Sequence, residues 1–388
     1  TAYRRQRQMC IRDRAWGGKN IEKVRCVVGS TLFMTLIGGS LIALFGVIFA
    51  ENILLALGTD PDVMHLSLPY VQWMLAGSPL IFIYIIYTSI LRGVGDSTTP
   101  LFASALTIGV GLVVTPVLIA GYFGFPKMGI ISPAIATILG NLAVLLFLIL
   151  YLNYRQHPLK LDWALLKNIR HQPQLSRMIL KLGVPTGVQM VTTSVAGLVI
   201  VGLVNRYGAE ATAAYGAVNQ VLNYIQFPAL SIAIAASVFG AQAIGAGKSD
   251  LLNKVTRTAL SMNILFTGGL VILAYLFSKY LMALFITDPK VVVLGQQLLF
   301  IVLWSILFFG ASAIFASIMR SSGTVTVPML INIFAILCIE VPAAYLFSRW
   351  WGLEGIWYAY ALAFVSLCIL QGLYYQFVWK KKTVEALI

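Results

Sequence analysis

The chain has 388 residues, 59% of them hydrophobic and only 10% charged, with a mean hydropathy of +0.88. A water-soluble domain carries about 25% charged residues, so a soluble globule is excluded and lipid must be the solvent for most of the surface. The formal net charge of +14 does not point to nucleic acid, because the charges lie in loops rather than along a groove or stripe.

Residues 1–14 are arginine-rich and almost without apolar side chains, and they read as a non-native segment outside the fold. A spanning helix needs about 20 apolar residues at 1.5 Å rise each. That ruler predicts ten spans, at about 31–50, 66–90, 101–121, 130–152, 182–204, 211–240, 259–278, 291–318, 326–347 and 354–378. The expected class is an all-α polytopic membrane protein. Pro79, Pro116, Pro185, Pro228 and Pro342 fall inside or near the ends of these spans. Each removes a backbone hydrogen bond and favours a kink that neighbouring helices can repair. The basic segment 153–181 reads as a linker between lobes, and 381–388 as a tail.

Basic residues set the expected orientation. One set of connections holds Lys19, Lys23, Arg25, Arg92, Arg155, Lys160, Lys167, Arg170, Arg177, Lys181, Lys248, Lys254, Arg257, Arg320 and Lys380–Lys382. The other holds only Lys127, Arg206, Lys279, Lys290 and Arg349. The positive-inside rule places the first set, with the C-terminus, in the cytoplasm.

The sequence repeats itself. LRGVGDSTTP at 91–100 is echoed by MRSSGTVTVP at 319–328, so that Arg92, Gly95 and Pro100 return as Arg320, Gly323 and Pro328, each 228 positions on. Thr59-Asp60-Pro61 and Thr287-Asp288-Pro289 keep that offset; Pro116 with Pro342, and Gly129-Ile130 with Gly355-Ile356, shift it to 226. Both turns lie on one side of the membrane, so the units are parallel, related by an axis along the membrane normal. The second unit (182–380) shows six helices and the first (15–152) four, which implies two six-helix lobes with the first two spans missing.

These features resemble the multidrug and toxic compound extrusion (MATE) family. The likeness rests on the LRGVGDSTTP turn and its echo, the GGKN and GAGK loops at 17–20 and 245–248, and the GVPTGVQ opening of the 182–204 span. The resemblance implies an exporter in the bacterial cytoplasmic membrane. It would be a secondary antiporter that moves organic, drug-like cations out in exchange for H⁺ or Na⁺ by alternating access; the sequence itself shows no hydrolase or transferase constellation and no Walker-type phosphate loop, so an enzyme is not expected. No cofactor beyond the transported ion is implied, the partners are small organic substrates and the bilayer, and a monomer is expected. A flippase for a lipid-linked precursor is the alternative, disfavoured because no Arg or Lys lies clearly inside a span. Family members carry carboxylates on the first helix of each lobe; here the 182–204 helix has Gln189, Thr192 and Thr193 but no carboxylate.

An ion-coupled carrier needs a group whose charge depends on ion occupancy. Glu340 is the only acid in the interior of the ten predicted spans, Glu354 being the first residue of the last; it lies 14 residues past Thr326 and so about 21 Å along the helix. Pro342 leaves the Cys338 carbonyl without its helical donor. Glu340 is the ion-coupling candidate; a neutral structural glutamate bonded to a neighbouring helix is the competing reading. Tyr215, Asn219, Asn223 and Gln226 form a polar stripe at helical spacing. With Gln189 and Thr193 they read as the wall of a substrate cleft or as interhelical glue. Arg92, Gly95, Pro100, Arg320, Gly323 and Pro328 read as turn and gating elements. Trp350, Trp351 and Trp357 read as interface anchors.

Overall fold

A computed structural model describes residues 21–56, 61–160, 173–248 and 250–381, and the expected non-native segment 1–14 lies outside them. Among the described residues all regular structure is helical. The residues divide into two compact units, 19–177 and 178–388.

The first unit contains α1 (Ile21–Ala56), α2 (Pro61–Ala76), α3 (Ser78–Gly93), α4 (Thr98–Ala120) and α5 (Ser132–Tyr154). Apolar side chains cover these helices all round, which suits burial in lipid and explains residues such as Leu112 and Leu150, each 71% exposed. The predicted 66–90 span is α2 and α3 together, bent by 47° at Gly77, where Pro79 follows at the second position of α3 and the Ser78 hydroxyl donates to the Gly39 carbonyl of α1 at 3.2 Å. A helix bends where its ladder loses a donor.

The second unit contains α6 (Pro173–Val204), α7 (Ala209–Gly245), α8 (Leu251–Leu276), the short α9 (Ser278–Ala283), α10 (Pro289–Val302) and α11 (Ile306–Ser321). It closes with α12 (Thr326–Phe334), a π-turn (Ala335–Glu340) and α13 (Val341–Leu373), which runs into a second π-turn (Tyr374–Trp379). α7 packs against α8, α10 and α11, and its buried Val218, Val221, Leu222 and Ile225 share a core with Leu298, Leu299, Val302 and Trp357. The predicted break between the 326–347 and 354–378 spans is the non-helical pair Trp351 and Gly352. There the chain folds back so tightly that a Cβ on Gly355 would collide with the Phe347 carbonyl oxygen.

Two expectations change. Helix takes up both ends of the expected 153–181 linker: α5 runs to Tyr154 and α6 starts at Pro173. Residues 161–172 lie outside the described ones. Glu340 is also not the only acid within helices of the spans, since α1 is longer than predicted and includes Glu51, Glu210 lies in the first turn of α7, and Glu354 follows the break at Trp351 and Gly352 in α13.

The repeated turns share one backbone. Gly95 N–H reaches the Arg92 carbonyl at 3.0 Å and Asp96 N–H the Leu91 carbonyl at 3.0 Å; Gly323 reaches Arg320 at 2.8 Å and Thr324 reaches Met319 at 3.1 Å. This is the six-to-one closure that ends a helix on a left-handed residue, and φ is +91° at Gly95 and +84° at Gly323.

Replacing Gly355 with alanine has no such refuge, because the obstructing atom is backbone. Gly355→Ala is expected to destabilise the purified protein by about 1–3 kcal/mol, read as a lower melting temperature in detergent. A matched Gly111→Ala control, where an added Cβ meets nothing within 4 Å, should leave it unchanged.

Candidate functional site

The second unit gathers a carboxylate, two phenols and an indole. α12 enters the π-turn at Ala335, and the Val341 N–H closes it on the Ile336 carbonyl, five residues back. Pro342 follows at once and supplies no N–H, so the ladder widens where the regular pattern loses a donor. The widened turn ends on Glu340, which is half-buried.

Across from it, α7 offers Tyr215 and α13 offers Trp357 and Tyr360. Trp357 and Tyr360 are three residues apart and share a helix face. The Tyr215 and Tyr360 hydroxyls are 2.9 Å apart, and either can donate. The Trp357 ring lies 5.4 Å from that of Tyr215 and 5.6 Å from that of Tyr360, and Glu340 acts electrostatically on Tyr360. Trp357 is fully buried, and its Nε1–H has no hydrogen-bond acceptor. The interface-anchor reading of Trp357 is therefore corrected: its indole packs inward because α13 turns that face to α7. Trp350 and Trp351 remain exposed at 61% and 53%.

The other candidates are placed as follows. Tyr215 is 8% exposed and faces inward, whereas Asn219 and Gln226 are half-buried and Asn223 exposed. Asn219 donates to the Tyr215 carbonyl at 3.1 Å. Gln189 is half-buried and Thr193 exposed, with the Thr193 hydroxyl donating to the Gln189 carbonyl at 3.0 Å. Tyr215, the buried end of the polar stripe on α7, thus joins that stripe to the Tyr360 hydroxyl on α13. A carboxylate beside aromatic rings and exchangeable hydroxyls can hold a proton or a small cation, since ring faces are negative.

The turn at 91–100 has chemistry that its echo lacks. Asp96 accepts the Thr99 N–H and the Thr98 hydroxyl, each at 3.0 Å, and the Thr99 hydroxyl as well. Gly323 is followed by Thr324 instead, and the echo is locked by side chains: Trp379 Nε1 donates to the Ser322 hydroxyl at 2.9 Å, and Gln371 Nε2 to the Pro328 carbonyl at 3.0 Å. Arg92 donates to Ser89 at 2.9 Å, Arg320 is half-buried, and Pro100 and Pro328 are buried.

Residues 155–160 fold onto the same end of the first unit. The Arg25 guanidinium donates to the Pro158 carbonyl at 2.9 Å, the Tyr87 hydroxyl to the Leu159 carbonyl, and the Leu159 N–H to His157 Nδ1 at 3.2 Å. Burial pulls the His157 imidazole below its ordinary 6.5, and Asp96 only partly opposes this. Burial alone would raise the Asp96 carboxyl, but its bonds from Thr99 and Thr98 and the nearby His157 outweigh it and hold the group below 3.8. Nothing in the sequence flagged this pairing, because Asp96 and His157 are 61 positions apart.

A histidine with a lowered native value binds fewer protons folded than unfolded, so its contribution is complete above pH 6.5 and is lost as pH falls through that value. The melting temperature should therefore fall between pH 7.5 and pH 5.5, as about two pH units of titration traverse this window. In His157→Gln the fall should be smaller by on the order of 2 °C.

Comparisons with known proteins agree with one another. The family model described as MatE matches residues 13–117 and 185–346. The chain is 43% identical over 377 residues to the probable multidrug resistance protein YoeA of Bacillus subtilis (strain 168), covering 96% of this chain and 81% of that one. It is 22% identical over 363 residues to the multidrug export protein MepA of Staphylococcus aureus (strain MSSA476), covering 93% and 78%. A solved structure of a mutant of the Vibrio cholerae MATE transporter VcmN shares the fold with a TM-score of 0.88 at 19% identity, covering 97% of this chain and 84% of that one. An outward-facing multidrug resistance MATE family transporter of the MOP superfamily gives 0.86 at 20%, covering 97% and 82%.

Proposed function

The chain belongs to the MatE family and is a multi-pass drug efflux transporter rather than an enzyme; from that premise we propose that it is a secondary antiporter whose ion-coupling carboxylate is Glu340. It exchanges organic, drug-like cations for H⁺ or Na⁺ by alternating access, in a bacterial cytoplasmic membrane with its C-terminus in the cytoplasm.

The observation that carries this reading is the position of Glu340. It terminates a π-turn beside Pro342, within electrostatic reach of Tyr360, whose hydroxyl pairs with that of Tyr215. A carboxylate deep in a span is costly when charged and unpaired. Its two states therefore differ strongly in their preference for dry or ion-filled surroundings, as coupling requires. The Tyr215–Tyr360 pair supplies a hydroxyl dipole that can reorient as the ion arrives and leaves. The polar stripe Asn219, Asn223 and Gln226, with Gln189 and Thr193, is assigned to the substrate, since lipid cannot satisfy such groups.

Ethidium efflux driven by an imposed Na⁺ or H⁺ gradient tests this in cells or proteoliposomes. Glu340→Gln should lower ion-driven efflux by about tenfold or more, with ethidium binding retained. Efflux by Glu340→Gln that stays coupled to the gradient at the wild-type rate would refute the assignment.

A further inference from the structure

We propose that the seam between α7 and α8 is a binding site for one anionic phospholipid, a role that goes beyond ion-coupled export and does not depend on it. Two adjoining hollows run along this seam. The first, about 390 Å³, is lined by Ile232, Phe239, Lys254, Val255, Thr258 and Met262, among others. The second, about 500 Å³, shares Ile232 and Met262 with it and continues to Leu273.

The seam is open because small residues face one another across it: Ala235 and Ala236 on α7 and Ala259 on α8 in the first hollow, Gly269 in the second. In the first hollow only Lys254 and Thr258 are polar. They are four residues apart and therefore stacked on one face of α8, with Lys254 toward its N-terminal end. From Lys254 to Leu265 is 11 residues, about 16 Å of helix, which matches one leaflet of a hydrocarbon core about 30 Å thick. A lipid phosphate at Lys254, a glycerol ester at Thr258 and an acyl chain running past Val255, Ile232 and Met262 would use the whole of the first hollow.

Charge selects the headgroup. Lys248, Lys254 and Arg257 are exposed around this end of α8, with Asp250 the only carboxylate between residues 246 and 258. No hydrogen bond or ion pair engages Lys254 among the described residues. A lysine stem lies along apolar surface while its ammonium reaches the headgroup level, where an anionic lipid is favoured over a zwitterionic one. An organic cation fits less well, because it would meet the Lys254 charge at the mouth.

Native mass spectrometry of the full chain in detergent tests the site with phosphatidylglycerol and phosphatidylcholine of identical acyl chains. The unmodified protein should retain one phosphatidylglycerol in preference to phosphatidylcholine. Lys254→Gln should weaken phosphatidylglycerol retention about fivefold without changing that of phosphatidylcholine, which also reports that the variant is folded. Lys254→Arg should restore it, and Ala235→Phe, which fills the hollow, should weaken retention of both lipids. Equal retention of the two lipids by the unmodified protein, undiminished phosphatidylglycerol binding by Lys254→Gln, or an unaffected Ala235→Phe would each overturn the proposal.

Discussion

In hydrocarbon no water is available to a free N–H or C=O, so a chain that crosses the bilayer must satisfy its backbone within itself. Helices do this over most of the described residues, and every departure from the helix then needs its own local repair. Where α3 and α11 stop, the same six-to-one closure on a left-handed glycine supplies it. It recurs at α7, where Gly247 has φ +72° and Lys248 N–H reaches the Ala243 carbonyl at 2.9 Å, and at α5, where Gln156 occupies the position with φ +48°. The bend at Gly77 and the π-turn before Pro342 answer the same constraint inside a span.

The two copies of the repeated turn show how one backbone solution admits different side-chain locks. In the first unit a carboxylate, Asp96, gathers three donors, and a half-buried histidine, His157, stands near it. In the second the equivalent position is Thr324, and an indole and an amide from the end of the chain hold the turn instead. The first lock contains groups that titrate and the second contains none, so acidification bears on one unit's turn and not on its echo. Interior polar groups follow the same economy of bonds. Asn263 donates to the Leu307 carbonyl at 3.1 Å and accepts from Thr267 at 3.0 Å, joining α8 to α11.

The spans were legible from apolar length alone, and the repeat from residues spaced by 228 and then 226 positions, because both signals are local or nearly periodic in character. Glycine at 95 and 323 announced a left-handed residue, and the backbone bears this out. The π-turn was only half legible: Pro342 marked a lost donor, but a kink and a widened turn answer that loss equally well, and packing decides between them. Trp357 misled because a tryptophan near a helix end fits an interface belt as well as a core, and only the path of α13 against α7 distinguishes them. The bonds from residues 155–160 back to Arg25 and Tyr87 were invisible, since they join side chains to carbonyls across 133 and 72 positions.

These strands meet at Glu340, where the repair of a broken ladder sets a carboxylate within electrostatic reach of Tyr360, the hydroxyl partner of Tyr215. The central claim is that this carboxyl changes state as ions and substrate exchange. Infrared difference spectroscopy of the reconstituted protein, recorded on adding Na⁺, acid or substrate, observes that change directly. A carboxyl band that responds in the wild type and vanishes in Glu340→Gln is the predicted result; identical difference spectra from the two proteins would contradict the account.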